Sequence, residues 1–561
     1  MVHYLLSWGA PADRLFDVDV RFTAPVDTPR LLLPAWRPGR YLRQNYAANV
    51  REWSAGEARI RKDGLTSWRV DARAGEEVTV RYRVYAGVLD AGSSFLDEDE
   101  AYFNGASVFM LVDGLRAEEH LLTIAAPAEW RIETQLRRDD DGVFRARDYD
   151  HLIDSPTIAA ATMTRHSFVE SGARIHLVFR GDDGIDTEQF VEPARAIVRT
   201  QAELFGGLPF EEYRFLYHVR DRWHGVEHED SSSIILRRVA LLGAGPGDEG
   251  FDHTLAITSH ELFHAWNVKR MLPARFAPYD YWSETPTRLL WAMEGLTSYY
   301  GELTLVRGGL WTVERYLRHL GNEIQTLESL PARLHLSLAQ ASFDGWLSDP
   351  AQMHDHANAW FSFYNKGEIV SALLDLAIRR ASDGERSLDD VVRLLWQERA
   401  TVLDEDAIER AVARVADVGD FFARYVEGTD PLPYEELFNA AGIGFASAPR
   451  EPESASLGVR LRVVDGALVI DSAIRGGAAM EAGLLPGDEL LALDDTRVTS
   501  EAALVAALRG VRRGGSAELL IARAGVVKRL SLRAKPDPRP VITLRIEGAS
   551  ELRRGWLGRE A

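Results

Sequence analysis

The sequence predicts a multidomain α+β protein, and three observations carry the prediction. A chain of 561 residues is too long for one hydrophobic core and implies three to four domains. The early chain alternates with a period of two. Phe16, Val18, Val20 and Phe22 are interleaved with Asp17, Asp19 and Arg21, and Val78, Val80, Tyr82 and Val84 with Thr79, Arg81 and Arg83. The later chain changes to helical spacing, as at Ile408, Ala411, Val412 and Val415.

Composition narrows the class. Apolar residues at 46% with 27% charged residues are ordinary for a soluble globular protein. The formal net charge of −20 argues against nucleic acid or an anionic membrane as partner. With no cysteine there is no disulfide, no Cys-held metal and no thiol nucleophile. No run of eighteen apolar residues occurs, so no conventional membrane helix is expected. The start, Met-Val-His-Tyr-Leu-Leu-Ser-Trp-Gly, lacks a basic region before an apolar core, so no signal peptide is expected and cytoplasmic is the default location.

Taken in order, residues 1–165 read as an N-terminal antiparallel β domain with one wet face. From 166 to about 320 the chain is mixed, with a short strand near Ile175–Phe179 and a helix over Pro193–Phe205. Residues 321–446 read as a helical domain. The run Ala446–Ser456 has the composition of a linker. Beyond it lie a module over 457–534 and a tail over 535–561 that begins Pro-rich and ends with Leu552 and Trp556, expected to dock on another domain.

The mixed segment carries His260-Glu261-Leu262-Phe263-His264. Four helical residues turn the chain by about 400°, so His260 and His264 share one face and can place two imidazole nitrogens on one metal ion. Glu261 is offset by about 100°, beside the metal, where a carboxylate can take a proton from an activated water. Leu255, Leu262 and Trp266 form an apolar stripe, so this helix should be buried. A catalytic zinc keeps three protein ligands. Glu294, in the middle of the apolar helical run Arg288–Tyr300, is the candidate third ligand, because a carboxylate there is costly to bury without a metal or a partner. The alternative is an ion pair with Arg270 or Arg288.

The His-Glu-x-x-His block followed by Trp291-Ala-Met-Glu-Gly-Leu-Thr-Ser-Tyr-Tyr300 resembles the gluzincin metallopeptidases. The longer string His260–Arg270 and the early Leu33-Pro-Ala-Trp-Arg-Pro-Gly-Arg-Tyr41 resemble, more narrowly, the glycyl aminopeptidase family, whose members carry a C-terminal PDZ domain. The resemblance implies a thermolysin-like zinc catalytic domain over 166–320, a helical domain completing its cleft, and Zn²⁺ as cofactor. Gly225-Val-Glu-His228 resembles the motif whose Glu holds the free amino terminus of a peptide, a role that falls to Glu227 here. Where the family has a second Gly, this chain has His224. That difference bears on the shape of the amino-terminal pocket, and a protonated His224 would lower activity on free amines at acid pH.

Phe363-Tyr-Asn-Lys-Gly-Glu-Ile369 resembles the segment whose tyrosine, here Tyr364, stabilises the oxyanion. Its alternative is a core aromatic at a helix start. Leu457–Leu461 and Ala473–Asp488 look like a bacterial-type PDZ domain, with the helix Glu501–Leu508 lining a groove for a peptide carboxyl terminus; a module that only packs on the enzyme stays open beside it. The resemblance thus implies a zinc aminopeptidase acting on peptides with a free amino terminus, small first residues such as Gly or Ala being favoured. The rivals are a zinc endopeptidase and a PDZ-based peptide-binding protein with an inactive metal centre.

Overall fold

The computed structural model describes residues 1–242, 245, 247–349, 351–353, 355–398, 401–450, 455–512 and 514–558. It divides into two compact units, and the cut falls inside the predicted catalytic region. One unit is 1–286, 300–311 and 392–405; the other is 287–299, 312–391 and 406–561.

In the first unit the predicted alternation is realised as strands. Leu15–Thr23 buries Phe16, Val18, Val20 and Phe22 and turns its charged residues outward, pairing antiparallel with Glu77–Tyr85. These strands belong to a seven-stranded sheet, which shares one core with two four-stranded sheets. Burying one face of each strand is what fixes this register, since a one-residue slip would put Asp17 and Asp19 inside.

A five-stranded mixed sheet comes next, ordered Thr164–Glu170, Ala173–Arg180, Glu212–Arg220, Ser231–Arg237, His224–Glu227. Its edge strand, His224–Glu227, runs antiparallel to Ser231–Arg237. The helices Val191–Phe205 and Glu249–Phe263 lie beside it. Gln201 donates through Nε2 to the Ser259 carbonyl at 2.8 Å, and the Tyr217 and Thr258 hydroxyls meet at 3.1 Å. The motif helix is thereby tied to both a neighbouring helix and the sheet.

The second unit is helical before and around a small β module. The stretch predicted as one helix from Arg288 begins instead as a π-turn, Trp291–Gly295, that passes into the α-helix Leu296–Arg307. The turn sits at a close backbone contact. Gly295 faces Gly367 of the helix Phe363–Ala381 so closely that a Cβ on Gly295 would stand 2.4 Å from the Gly367 Cα. Two glycines let the backbones meet there.

The module's strands run from Val459 to Arg533, and the helix Glu501–Leu508 forms as expected. The linker reading is corrected at its start. Ile443–Pro449 is a strand, paired antiparallel with Pro540–Ile546; residues 451–454 of that stretch lie outside the described residues. The tail is ordered into the helix Glu551–Leu557. Trp556 is fully buried and donates through Nε1 to the Tyr299 hydroxyl at 2.8 Å, and that hydroxyl donates to Asp375 Oδ2 at 2.5 Å. Among the described residues no helix is long and apolar enough to cross a membrane.

Candidate metal centre

The motif helix starts on an Asp248 cap, whose carboxylate accepts from the Gly250 and Phe251 amides at 2.9 and 3.1 Å. It ends at Phe263, so His264 is its C-cap rather than an interior residue. The helical trace still holds at that point (φ −60°, ψ −20°), and the one-turn spacing of the imidazoles survives. Their Nε2 atoms stand 3.0 Å apart with the rings nearly perpendicular, at 83°.

His264 Nδ1 lies 2.7 Å from the Asn267 carbonyl oxygen. A carbonyl only accepts, so Nδ1 carries the proton and Nε2 offers its lone pair toward His260. Two zinc-bound imidazole nitrogens at about 2.0–2.1 Å in tetrahedral geometry stand roughly 3.3 Å apart. The pair therefore fits zinc after a shift of a few tenths of an ångström. Trp266, fully buried, stacks on Phe205 at 4.6 Å and locks the turn beyond the helix.

Two buried carboxylates crowd the same spot. Donor atoms of Glu227, Glu261 and His264 all lie within 4.8 Å of one another. Glu227 is 3% exposed, and its Oε1 has no hydrogen-bond partner among the described residues. Glycines make both carboxylate positions available. A Cβ on Gly225 would stand 2.0 Å from Glu261 Oε1, and one on Gly39, at φ +76°, would stand 2.2 Å from Glu227 Oε2. Gly225 and Glu227 are two apart on one strand and so share a face.

The same parity corrects the expectation for His224. It shares the opposite face with Val226, which packs against Ala91 and Ile235. Its Nδ1 accepts from the Ala91 amide at 3.2 Å. Burial and then the nearby Arg37 lower its pKa to about 4. His224 neither crowds the face that bears Glu227 nor carries charge there at neutral pH. The predicted fall in free-amine activity at acid pH is not expected from this residue.

Behind Glu227, Lys269 Nζ pairs with Asp154 Oδ1 at 2.7 Å, and His228 Nδ1 lies 3.2 Å from the same oxygen. Burial pushes the Asp154 carboxyl up, but the Lys269 ammonium and the His228 hydrogen bond outweigh it and hold it well below the usual range. Burial likewise lowers Lys269, and Asp154 outweighs it and raises the amine. Sequence reasoning missed this pair, as it missed Gly39 and Gly225 as spacers.

The second unit holds the other two predicted residues. Glu294 is 1% exposed within the π-turn, and its carbonyl accepts from the Ser298 hydroxyl at 2.9 Å. Both arginines offered as its alternative partners have carboxylates elsewhere, Arg288 on Glu427 at 3.2 Å and Arg270 on Asp230 at 2.7 Å. Tyr364 stands in the first turn of Phe363–Ala381, half-buried and stacked on Phe363, its amide donating to the Ser362 cap at 3.2 Å.

Residues 3–161 match the peptidase M61 N-terminal domain, residues 253–370 match M61 glycyl aminopeptidase, and residues 455–533 match a PDZ domain. The chain carries the N-terminal and catalytic domains of the M61 glycyl aminopeptidase family. An aminopeptidase N family protein from Idiomarina loihiensis has a similar structure, with 26% sequence identity, a TM-score of 0.93, and coverage of 99% of this chain and 100% of that one. An M1 zinc metallopeptidase from Deinococcus radiodurans aligns at 14% identity and a TM-score of 0.47, covering 77% of this chain and 94% of that one. No curated protein matches the chain. With these domains the chain is a metallopeptidase of aminopeptidase type.

The glycine spacer gives a direct test. Gly225→Ala should leave folding intact, because the atom it meets is the end of a flexible side chain, yet push the Glu261 carboxylate aside. Misplacement by about 1 Å costs up to about a hundredfold, so kcat should fall about tenfold to a hundredfold with Tm nearly unchanged. An unchanged kcat would mean that Glu261 does not work from this position.

Proposed function

We propose that this chain is a zinc-dependent aminopeptidase that releases small first residues, Gly or Ala, from peptides. His260, His264 and Glu294 are the zinc ligands in this reading, Glu261 is the proton acceptor, Tyr364 the oxyanion donor and Glu227 the anchor for the substrate ammonium. The observation that carries it is the grouping of Glu227 with Glu261 and His264 within 4.8 Å. A peptide whose amino terminus lies on Glu227 can bring only its first peptide bond to the motif histidines.

The donor chemistry supports zinc, since neutral imidazoles and one carboxylate are the ligand set of a catalytic site that leaves a position open. Bound there, zinc would act as a Lewis acid and bring the pKa of its water towards about 7. Glu261 then takes the proton of the attacking water and hands it to the leaving amine. Tyr364 donates a hydrogen bond to the oxygen that gains charge. Glu227, 3% exposed, supplies a charge-assisted acceptor for the ammonium. We also propose the domain division 1–165, 166–320, 321–446, 457–534 and 535–561, with a peptide carboxyl terminus as ligand of the PDZ domain.

Glu227 separates an aminopeptidase from an endopeptidase. Glu227→Ala should cost about 2–5 kcal/mol of transition-state binding for free-amine substrates, because a buried cation is left unpaired. Acetylated substrates never use the contact and should lose little. The measurement is kcat/KM for a matched free and acetylated pair in wild type and variant. Equal losses on both would make Glu227 structural and favour the endopeptidase.

A further inference from the structure

Beside Glu227 the first unit encloses a cavity of about 210 Å³, lined among others by Arg37, Pro38, Asn104, Asp154 and Lys269. That is below the roughly 300–1,000 Å³ of sites for drug-sized ligands and suits one side chain or a small ion. Every charged group on its wall but one has an ion-pair partner. Asp154 is paired with Lys269, Asp150 with Arg116 at 2.9 Å, Asp148 with Arg147 at 3.5 Å, and Glu229 with both Arg147 and Arg270.

Arg37 is the exception. It is 3% exposed, and among the described residues no carboxylate lies within 4.0 Å of its guanidinium. One amino group donates to the Pro38 carbonyl at 2.8 Å, the guanidinium also hydrogen-bonds the neutral Tyr46 side chain, and Nε has no partner among the described residues. Asp90 is near enough to be felt but lies beyond ion-pairing range, its carboxylate accepting from the Gly92 amide at 2.9 Å. The position is built rather than incidental: a Cβ on Gly92 would stand 1.8 Å from the Arg37 guanidinium, so only glycine lets it lie there. A buried guanidinium stays charged, and without a counter-ion it is costly. Asn104, 1% exposed on the same cavity, has no partner among the described residues at either end of its amide.

We propose that this cavity is a carboxylate site, with Arg37 and Asn104 as its recognising groups. The planar guanidinium offers a fork for two carboxylate oxygens, and the Asn104 amide adds a neutral donor. Pro38 and Lys269 line the cavity, Gly39 touches the Glu227 carboxylate, and Glu227 acts on the Lys269 charge. A peptide held at Glu227 therefore has the side chain of an acidic first residue as the nearest source of that carboxylate, which rests on the aminopeptidase reading; a free small carboxylate offers the same chemistry. Small first residues leave the cavity to water.

The test compares aspartyl and asparaginyl anilides, equal in shape and different in charge, on the zinc-loaded enzyme. Aspartyl should exceed asparaginyl by about tenfold or more in kcat/KM, the worth of one hydrogen bond between charged groups. Arg37→Met should bring the ratio to about one, Arg37→Lys should keep part of it, and Asn104→Ala should lower it if the arginine variants fail to fold. Acetate titration distinguishes the source. A saturable rise in Tm, lost in Arg37→Met, together with equal rates for the two anilides identifies a free carboxylate as ligand. Equal rates with no saturable acetate effect overturn the proposal. An acetate effect in an enzyme that cannot cleave glycyl or alanyl anilides overturns the aminopeptidase reading instead and leaves the carboxylate site standing.

Discussion

Glu261→Gln should bind zinc as the wild type does and lose about 10²–10⁴ in kcat, the usual worth of a positioned proton acceptor. The amide keeps the size of the carboxylate and fills the same gap against Gly225, so neither fold nor ligand positions change. Only the basic oxygen is removed. Metal content by elemental analysis and kcat on an alanyl anilide are the two readouts. Full activity with full zinc would end the proposed mechanism; loss of both would move Glu261 into the ligand set, where its closeness to His264 also permits it to stand.

Asp154→Ala should destabilise the protein by about 3–5 kcal/mol, since it strands the Lys269 ammonium, 6% exposed, without its counter-ion. The two shifts set the pH window. Asp154 is depressed in the folded state, so its contribution is complete above the unfolded value of about 3.9 and is lost only in more acid solution. Lys269 is raised, so its contribution is complete below the unfolded value of about 10.4 and is lost as pH rises through the folded one. The wild-type contribution is therefore flat from about pH 6 to pH 9, whereas burial lowers the stranded ammonium of the variant, so the deficit in urea unfolding should be full at about pH 6 and smaller at about pH 9. A deficit under about 1 kcal/mol would mean that water reaches the freed ammonium. Activity should fall as well, because Glu227 is the next carboxylate acting on Lys269, and a lysine drawn to it competes with the substrate ammonium.

The pairing of the two motif imidazoles was legible because its information is local. The spacing of His260 and His264 is a property of any helix, and an apolar stripe marked this one as buried. The strands around Phe16 and Val80 were legible for the same reason, since a period of two needs no knowledge of partners. Glu227 was reached through resemblance, because an acid among Glu229 and Asp230 looks like a solvated loop until its strand is known. That strand also settles His224, whose parity opposes Glu227. Other features depend on contacts between distant segments. The meeting of Gly39 with Glu227, the pairing of Asp154 with Lys269, and the π-turn against Gly367 leave no periodic trace.

The antiparallel pair Ile443–Pro449 and Pro540–Ile546 changes what the carboxyl end of this chain is. The PDZ match, 455–533, begins after the first of these strands and finishes before the second. The module hangs from the enzyme like a locket on a clasp, with its entry and exit side by side. The returning strand and the helix after it, which carries the Trp556 plug on Tyr299, belong to the host. A natural cut removes the locket and closes the clasp, joining Pro449 to Pro540 by a short turn; a stop codon after residue 450 would also take a strand and the plug. The same arrangement lets one module be exchanged for another without moving either end of the peptidase.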